Sequence, residues 1–196
     1  MRSRRKAVLF QIHFITDDFN AIGPEAVKNI IVTRHLHLGP DEALPGLLRV
    51  AACQPGVLGQ TGIESLELVK CAMQTAQPDV VIVIDALAAA EPARLFKTVQ
   101  LTDGGIVPGS GVGNSRQEFS KRTLGVPVIA VGVPTVVDAS GLFRQAELEL
   151  DVPQGMLVTV QDVDARVREM GRLIGYGCDL ALHRGLTLGE IPTFLS

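Results

Sequence analysis

The run VVIVID at residues 80–85 opens with five consecutive Val and Ile residues. An amphipathic helix would place polar residues at every third or fourth position, and a half-exposed strand would alternate. Unbroken β-branched residues fit a central strand of a parallel sheet, covered on both faces. Helices are therefore needed above and below it. The run also raises a chemical question. It reads as ending on Asp85, and ligands of open α/β sheets bind beyond the carboxyl ends of the strands.

The remaining sequence alternates to match. AVLFQIHFI (7–15) and LLRVAA (47–52) read as strands, TVQLT (98–102) as a weaker one nearer an edge, and PVIAVGVPTVVD (127–138) as another central one. Gly23-Pro24 opens a helix with Pro in its first turn, where the missing N–H costs nothing. Val27, Ile30 and Ile31 would form its buried face. QPGVLGQTG (54–62) reads as a glycine-rich loop, followed by a helix with Ile63, Leu66, Val69, Met73 and Ala76 along one face. LDVPQG (150–155) is a turn. Asp162 or Asp164 starts a long helix whose stripe is Val163, Val167, Met170, Ile174, Cys178 and Ala181. Gly171, Gly175 and Gly177 interrupt that helix, which predicts close packing against a neighbour. LTLGEIPTFL adds a short terminal helix. The expected fold is α/β, a mostly parallel central sheet flanked by helices. It would form one domain over 1–196, with 1–6 as a basic tail.

Composition removes several function classes. Hydrophobic residues make up 46% and charged residues 20%, as in an ordinary globular chain. No apolar run reaches the roughly 18 residues of a membrane span. The opening MRSRRKAVLFQIHF pairs basic and apolar residues, but His13 interrupts it and no small-residue cleavage site precedes DDFN. A net charge of −3 offers no broad nucleic-acid surface, and Arg2, Arg4, Arg5 and Lys6 read as a solvated tail. Cys53, Cys71 and Cys178 are odd in number and form no C-x-x-C pair. That pattern fits reduced thiols in a cytoplasm.

Familiar motifs are missing. GSGVGN (109–114) is not the dinucleotide G-x-G-x-x-G, and no G-K-[ST] phosphate loop occurs. Pro108 stands where a nucleophile elbow needs Gly, so Ser110 is a poor nucleophile. The loop DGGIVPGSGVGN (103–114) is long and glycine-rich, as a flexible turn or a substrate-contacting loop would be. In the second case Gly109, Ser110, Gly111, Gly113 and Asn114 are the substrate-binding candidates. Carboxylates are better placed for chemistry. Asp17 and Asp18 follow the first strand, and Asp103 and Asp138 also end strand-like runs. Two adjacent carboxylates cannot both ionise freely, so one can act as acid and the other as base on a water molecule. The structural alternatives are an N-cap for Asp85, since the helix-forming ALAAAEPARL follows it, and a polar turn for Asp17 and Asp18. His35 and His37, with carboxylates, could bind a divalent transition metal or simply end a helix. No metal and no cofactor is assigned.

PGVLGQTGIES, PDVVIVIDALAA, IVPGSGVGN, LGVPVIAVGVPTVVDA, AIGPEAVKNIIVTRHL and LVTVQDVDARVREMGRLIGYGCDLALH closely resemble the germination protease family of spore-forming bacteria. The resemblance runs from about Ala21 to Asp138 and resumes near Met156. It implies an endopeptidase that degrades small acid-soluble spore proteins at germination, in the cytoplasm of the forespore or spore core. It also implies homo-oligomers, tetramers in the family, made as zymogens, and a three-layer fold like that of hydrogenase-maturation peptidases. Direct nucleic-acid or membrane partners are not implied. Of the family's two proposed catalytic aspartates, one matches Asp85 in IDALAA. The other precedes A-[IL]-G-P; it is Asp18 if FN is an insertion, whereas an ungapped reading puts Asn20 there. The G-L-G-N turn usual after the first strand reads QIHF here, about six residues precede that strand, and the stretch from Asp138 to Met156 is shorter than usual. The chain thus reads as a short or divergent member. Two rival expectations are an impaired relative that binds spore protein or a protease subunit, and a metal-dependent processing peptidase.

Overall fold

A computed structural model describes residues 6–11, 22–36, 46–56, 58–110, 116–145 and 155–195. In chain order the strands are β1 (Lys6–Gln11), β2 (Arg49–Cys53), β3 (Val80–Ala89), β4 (Gln100–Thr102), β5 (Val128–Asp138) and β6 (Leu157–Val158). The helices are α1 (Ile22–Lys28), α2 (Leu58–Thr61), α3 (Ser65–Ala76), α4 (Lys121–Leu124), α5 (Ala139–Gln145), α6 (Val163–Leu182) and α7 (Ile191–Leu195).

The sheet runs β2-β1-β3-β5-β4, with β6 added to β5. The four strands from β2 to β5 are parallel, and β4 and β6 join β5 antiparallel. β3 is central, and its side chains alternate between two apolar layers. Ile82 and Ile84 pack with Ile22, Ala26 and Ile30 of the α1 region and with Val167, Met170 and Ile174 of α6. Val81 and Val83 pack with Leu66 and Val69 of α3, Leu124 of α4 and Phe119. The α/β architecture expected from VVIVID is therefore the observed one, with helices on both faces.

Several details differ from the sequence reading. Residues 54–62 are not wholly loop, since Leu58–Thr61 makes one helical turn. Ile63 lies outside α3 and is exposed. Ala181 is exposed, and Leu182 takes its place in the buried stripe of α6. Gly171 and Gly175 meet α1 and the residue after it: an added Cβ would fall 2.7 Å from Glu25 Cβ and 2.4 Å from the Asn29 carbonyl oxygen, respectively. Gly177 has nothing within 4 Å and does not share that role.

The main correction concerns β3. It does not end at Asp85 but runs four residues further, to Ala89. ALAA favours a helix locally, by a few tenths of a kcal/mol per residue. Pairing with β5 outweighs this, continuing through Ala89↔Val137 with an irregularity between Leu87 and Ala88. Asp85 is therefore mid-strand and caps no helix. The cap belongs to Asp138, whose Oδ1 accepts the Ser140 N–H at 2.8 Å as α5 begins.

Candidate functional site

Although β3 continues past it, Asp85 still marks an edge. The last described pair between β1 and β3 is Gln11↔Ile84. Asp85 is thus the first β3 residue beyond β1, where the chain leaves β1 toward residues 12–21. Past that point β3 pairs only with β5 among the described residues, and β6 joins the far side of β5 at Val137 and Asp138. The Asp85 side chain faces the same layer as Val81 and Val83, as strand alternation requires.

Asp85 is 2% exposed, and its Oδ1 is buried with no hydrogen-bond partner among the described residues. Burial pushes its carboxyl well above the usual carboxylate range, only partly opposed by the Ala86 N–H. A carboxyl so placed favours its protonated form. Across the sheet Asp85 stands level with Gly132 of β5, and Gly132 is level with Gln100 of β4. Gly132 is needed for shape: a Cβ there would lie 2.4 Å from Leu87 Cδ1 and 2.7 Å from Leu87 Cγ. Leu87, two residues from Asp85 and on the same face, occupies the space that the glycine leaves.

The 103–114 loop is anchored in the same layer. Ile106 and Phe119 form a bridge at its base, and Phe119 is buried with Val83. Gly105 has φ +89°, and a Cβ there would lie 2.5 Å from the Phe119 carbonyl oxygen. Gly109 is buried with φ +75°, a left-handed conformation that suits glycine, and Ser110 is exposed. Arg116 returns the chain, donating its N–H to the Pro108 carbonyl at 3.0 Å and reaching Glu64, just before α3, at 3.8 Å. Gly111, Gly113 and Asn114 lie outside the described residues, as do Asp17, Asp18, Asn20 and His37.

Two other carboxylates are not brought to Asp85. β4 runs antiparallel to β5, with Thr102 opposite Ala130, so Asp103 points toward the amino ends of the parallel strands. Asp138 is six residues beyond Gly132 on β5, roughly 20 Å along the strand. His35 is exposed in a 3-10 turn, Arg34–Leu36, beside the start of β2 at the far edge of the sheet. No group of three His, Cys, Asp or Glu is arranged to hold a metal among the described residues. No helix among them is long and apolar enough to cross a membrane.

A buried polar pair elsewhere in the fold escaped the sequence reading. Asp179 and His183, both fully buried, are 3.8 Å apart at the end of α6. The Ile31 N–H donates to Asp179 Oδ1 at 3.0 Å, and the Leu48 N–H donates to His183 Nδ1 at 3.3 Å. His183 Nε2 then carries the proton and faces the Ile31 carbonyl at 3.4 Å. The pair fastens α6 to the chain after α1 and before β2. Burial raises Asp179 to about 6, with the Ile31 N–H pulling the other way, and burial lowers His183. Polar residues at i and i+4 within an apolar stripe were the available signal.

The sequence profile described as "Germination protease" matches residues 9–150. The germination protease of Bacillus subtilis is 55% identical over 121 residues, covering 61% of this chain and 33% of that protein. The germination protease of Clostridium tetani is 36% identical over 218 aligned positions, covering 93% of this chain and 67% of that protein. The chain spans about a third of the length of the Geobacillus and Bacillus relatives it matches. Among solved structures, a nickel–iron hydrogenase maturation protease from Thermococcus kodakarensis aligns over 88% of this chain and 90% of its own, at 14% identity and a TM-score of 0.40.

Proposed function

The chain belongs to the germination protease family, and from that premise we propose that it is an endopeptidase cutting small acid-soluble spore proteins at germination. The observation that carries this reading is Asp85: a buried carboxyl with one oxygen unpartnered among the described residues, at the edge where β1 ends. Such a group is costly to keep unless chemistry needs it.

Asp18 is the second carboxyl of this reading, in the segment that follows β1. Its carboxylate takes a proton from a water molecule as that water attacks the scissile carbonyl carbon. Asp85, protonated, gives its proton to the carbonyl oxygen. The tetrahedral species then collapses, the amine leaves with the proton held by Asp18, and Asp85 recovers its own from the new hydroxyl. No covalent intermediate forms. Gly109 and Ser110, with Gly111, Gly113 and Asn114, hold the extended peptide in this reading. Homo-oligomeric assembly and a spore-core location go with it.

The test mixes the purified chain with a small acid-soluble spore protein and follows fragments by mass spectrometry, beside Asp85→Asn and Asp18→Asn. Both variants should fold and leave the substrate whole. Asp85→Asn should be at least as stable as the parent at pH 8, because it removes a buried carboxyl that is costly to ionise. Full cleavage by Asp85→Asn would refute the mechanism. An intact substrate with the parent chain would leave binding without cleavage as the function to test.

A further inference from the structure

β4 delivers the loop that follows it to the wrong end of the sheet for Asp85, because Asp103 lies toward the amino ends of the parallel strands. The chain then returns along the α3 side, where the Ile106–Phe119 bridge joins its two arms and Phe119 packs with Leu66 and Val83. Arg116 fixes how far this loop reaches. Its N–H donates to the Pro108 carbonyl at 3.0 Å, and its guanidinium lies 3.8 Å from the Glu64 carboxylate. Glu64 stands at the carboxyl edge of the sheet. β2 ends at Cys53, the chain turns, and α3 runs back to the amino end, where Val80 of β3 is level with Ala7 of β1. Asp85 faces the same layer at that same edge.

The Glu64–Arg116 pair differs from its counterparts. Five other ion pairs among the described residues join side chains three or four residues apart. This one joins segments far apart in the chain, and its side chains are only 25% and 15% exposed. Glu64 also occupies the N-cap position of α3 without making a side-chain cap hydrogen bond, where Ser, Thr, Asp or Asn would be preferred. Its longer side chain faces Arg116 instead. Its backbone is held firmly: the Glu64 carbonyl accepts the Glu67 N–H at 3.0 Å and the Leu68 N–H at 3.3 Å, and Ser65 Oγ donates to the Gly56 carbonyl at 3.4 Å. Through Arg116, one link therefore joins the glycine-rich turn after β2 to Pro108, the residue before Gly109 and Ser110.

We propose that Glu64 and Arg116 are positioning residues for peptide binding. Their ion pair sets Gly109 and Ser110 against the start of α3, on the face of the sheet that carries Asp85. Neither residue takes part in the chemistry. A loop already in place spares the substrate the cost of ordering it. A pair of this kind adds little to global stability, so its loss should move affinity and local exchange far more than Tm.

The proposal rests on the peptidase reading of the site, but its test needs no turnover. Binding of a fluorescein-labelled small acid-soluble spore protein is followed by anisotropy on the Asp85→Asn chain. Glu64→Arg and Arg116→Glu, each added to that chain, should weaken binding about fivefold or more, with circular dichroism unchanged. Arg116→Glu leaves the α3 terminus intact, so it carries the test if Glu64→Arg disturbs that helix. Hydrogen exchange by NMR at the Ile106, Ser110, Arg116 and Phe119 amides, whose bonds close the loop, should quicken in both. The attraction is one of charge, so the double swap should restore affinity and slow exchange together. In chains that keep Asp85, the single changes should raise KM and leave kcat nearly unaltered. Single variants with parental affinity or parental exchange overturn the proposal, as does a spore protein that binds none of the chains. A double swap that regains slow exchange without affinity would make Arg116 a direct peptide contact and overturn its positioning role. Full cleavage by Asp85→Asn would instead refute the acid role of Asp85, while the KM comparison still decides the pair, so the two ideas fail by different signals.

Discussion

Gly175 and Gly177 are two residues apart on one helix, yet alanine at each should shift stability in opposite directions. At Gly177 the new methyl enters open space, so Gly177→Ala gains only helix propensity, roughly 0.5–1 kcal/mol. At Gly175 the Cβ would sit 2.4 Å from the Asn29 carbonyl oxygen, 2.7 Å from Asn29 Cβ and 2.8 Å from the Asn29 carbonyl carbon. An ordinary contact begins near 3.4 Å, so the Asn29 backbone must retreat by about 1 Å. Asn29 has little room to do so. Its N–H bonds the Ala26 carbonyl at 2.9 Å, its side-chain amide bonds the Glu25 carbonyl at 2.8 Å, and two residues on, Ile31 is held by Asp179. Overpacking of this kind costs about 1–3 kcal/mol, at the upper end when backbone must move. After the propensity gain, a net loss of about 1–2 kcal/mol remains. For a chain this size 1 kcal/mol moves Tm by about 2–4 °C. Thermal unfolding by circular dichroism, at low protein concentration so that association does not contribute, should show Gly177→Ala melting above the parent and Gly175→Ala below it by several degrees. A Gly175→Ala protein as stable as the parent would show that α1 does not bear on α6 as described. The consequence reaches the site, because α1 begins immediately after the segment carrying Asp18.

Gly132→Ala should drive Leu87 from its place beside Asp85, lowering kcat/KM for spore-protein cleavage by about 10–100-fold while Tm falls only a few degrees; unchanged kcat/KM would remove Leu87 from the site. Because burial raises Asp85, the folded state favours its protonated form. Cleavage that needs that proton should decline as pH rises through the raised value, and a flat pH–rate profile there would count against Asp85 as the acid. Asp179 is raised from 3.8 to about 6, so its contribution to stability is fully present below its unfolded value and is lost as pH climbs from about 4 to about 6. His183 is lowered, so its contribution has the opposite slope, present above its unfolded value and lost as pH falls. Urea midpoints measured across pH 4–7 should therefore lose the decline between about 4 and 6 in Asp179→Asn; an unaltered slope would mean that another group carries it.

The sequence by itself determined the architecture and singled out Asp85 as a carboxyl to examine. Five consecutive β-branched residues at 80–84 admit few alternatives to a strand covered on both faces, because no other setting hides both sides of such a run. The apolar stripes of α3 and α6 were equally legible, since helical periodicity is a local property. Tertiary structure decided what local signals misstate. ALAA after Asp85 prefers a helix, yet β5 offers it a strand partner, and the gain from pairing exceeds a propensity difference of tenths of a kcal/mol per residue. Asp85 thereby became a buried mid-strand group, and Asp138 took the cap. TVQLT was readable as an edge strand, but its direction was not, because direction depends on how the chain returns; that direction carried Asp103 away from Asp85. The glycines of α6 look alike in sequence. Only the position of α1 separates Gly171 and Gly175, which it needs close, from Gly177, which it never meets. Asp179 and His183 remained hidden for the same reason: their partners, Ile31 and Leu48, lie well over a hundred residues away along the chain, and only the folded sheet brings them together.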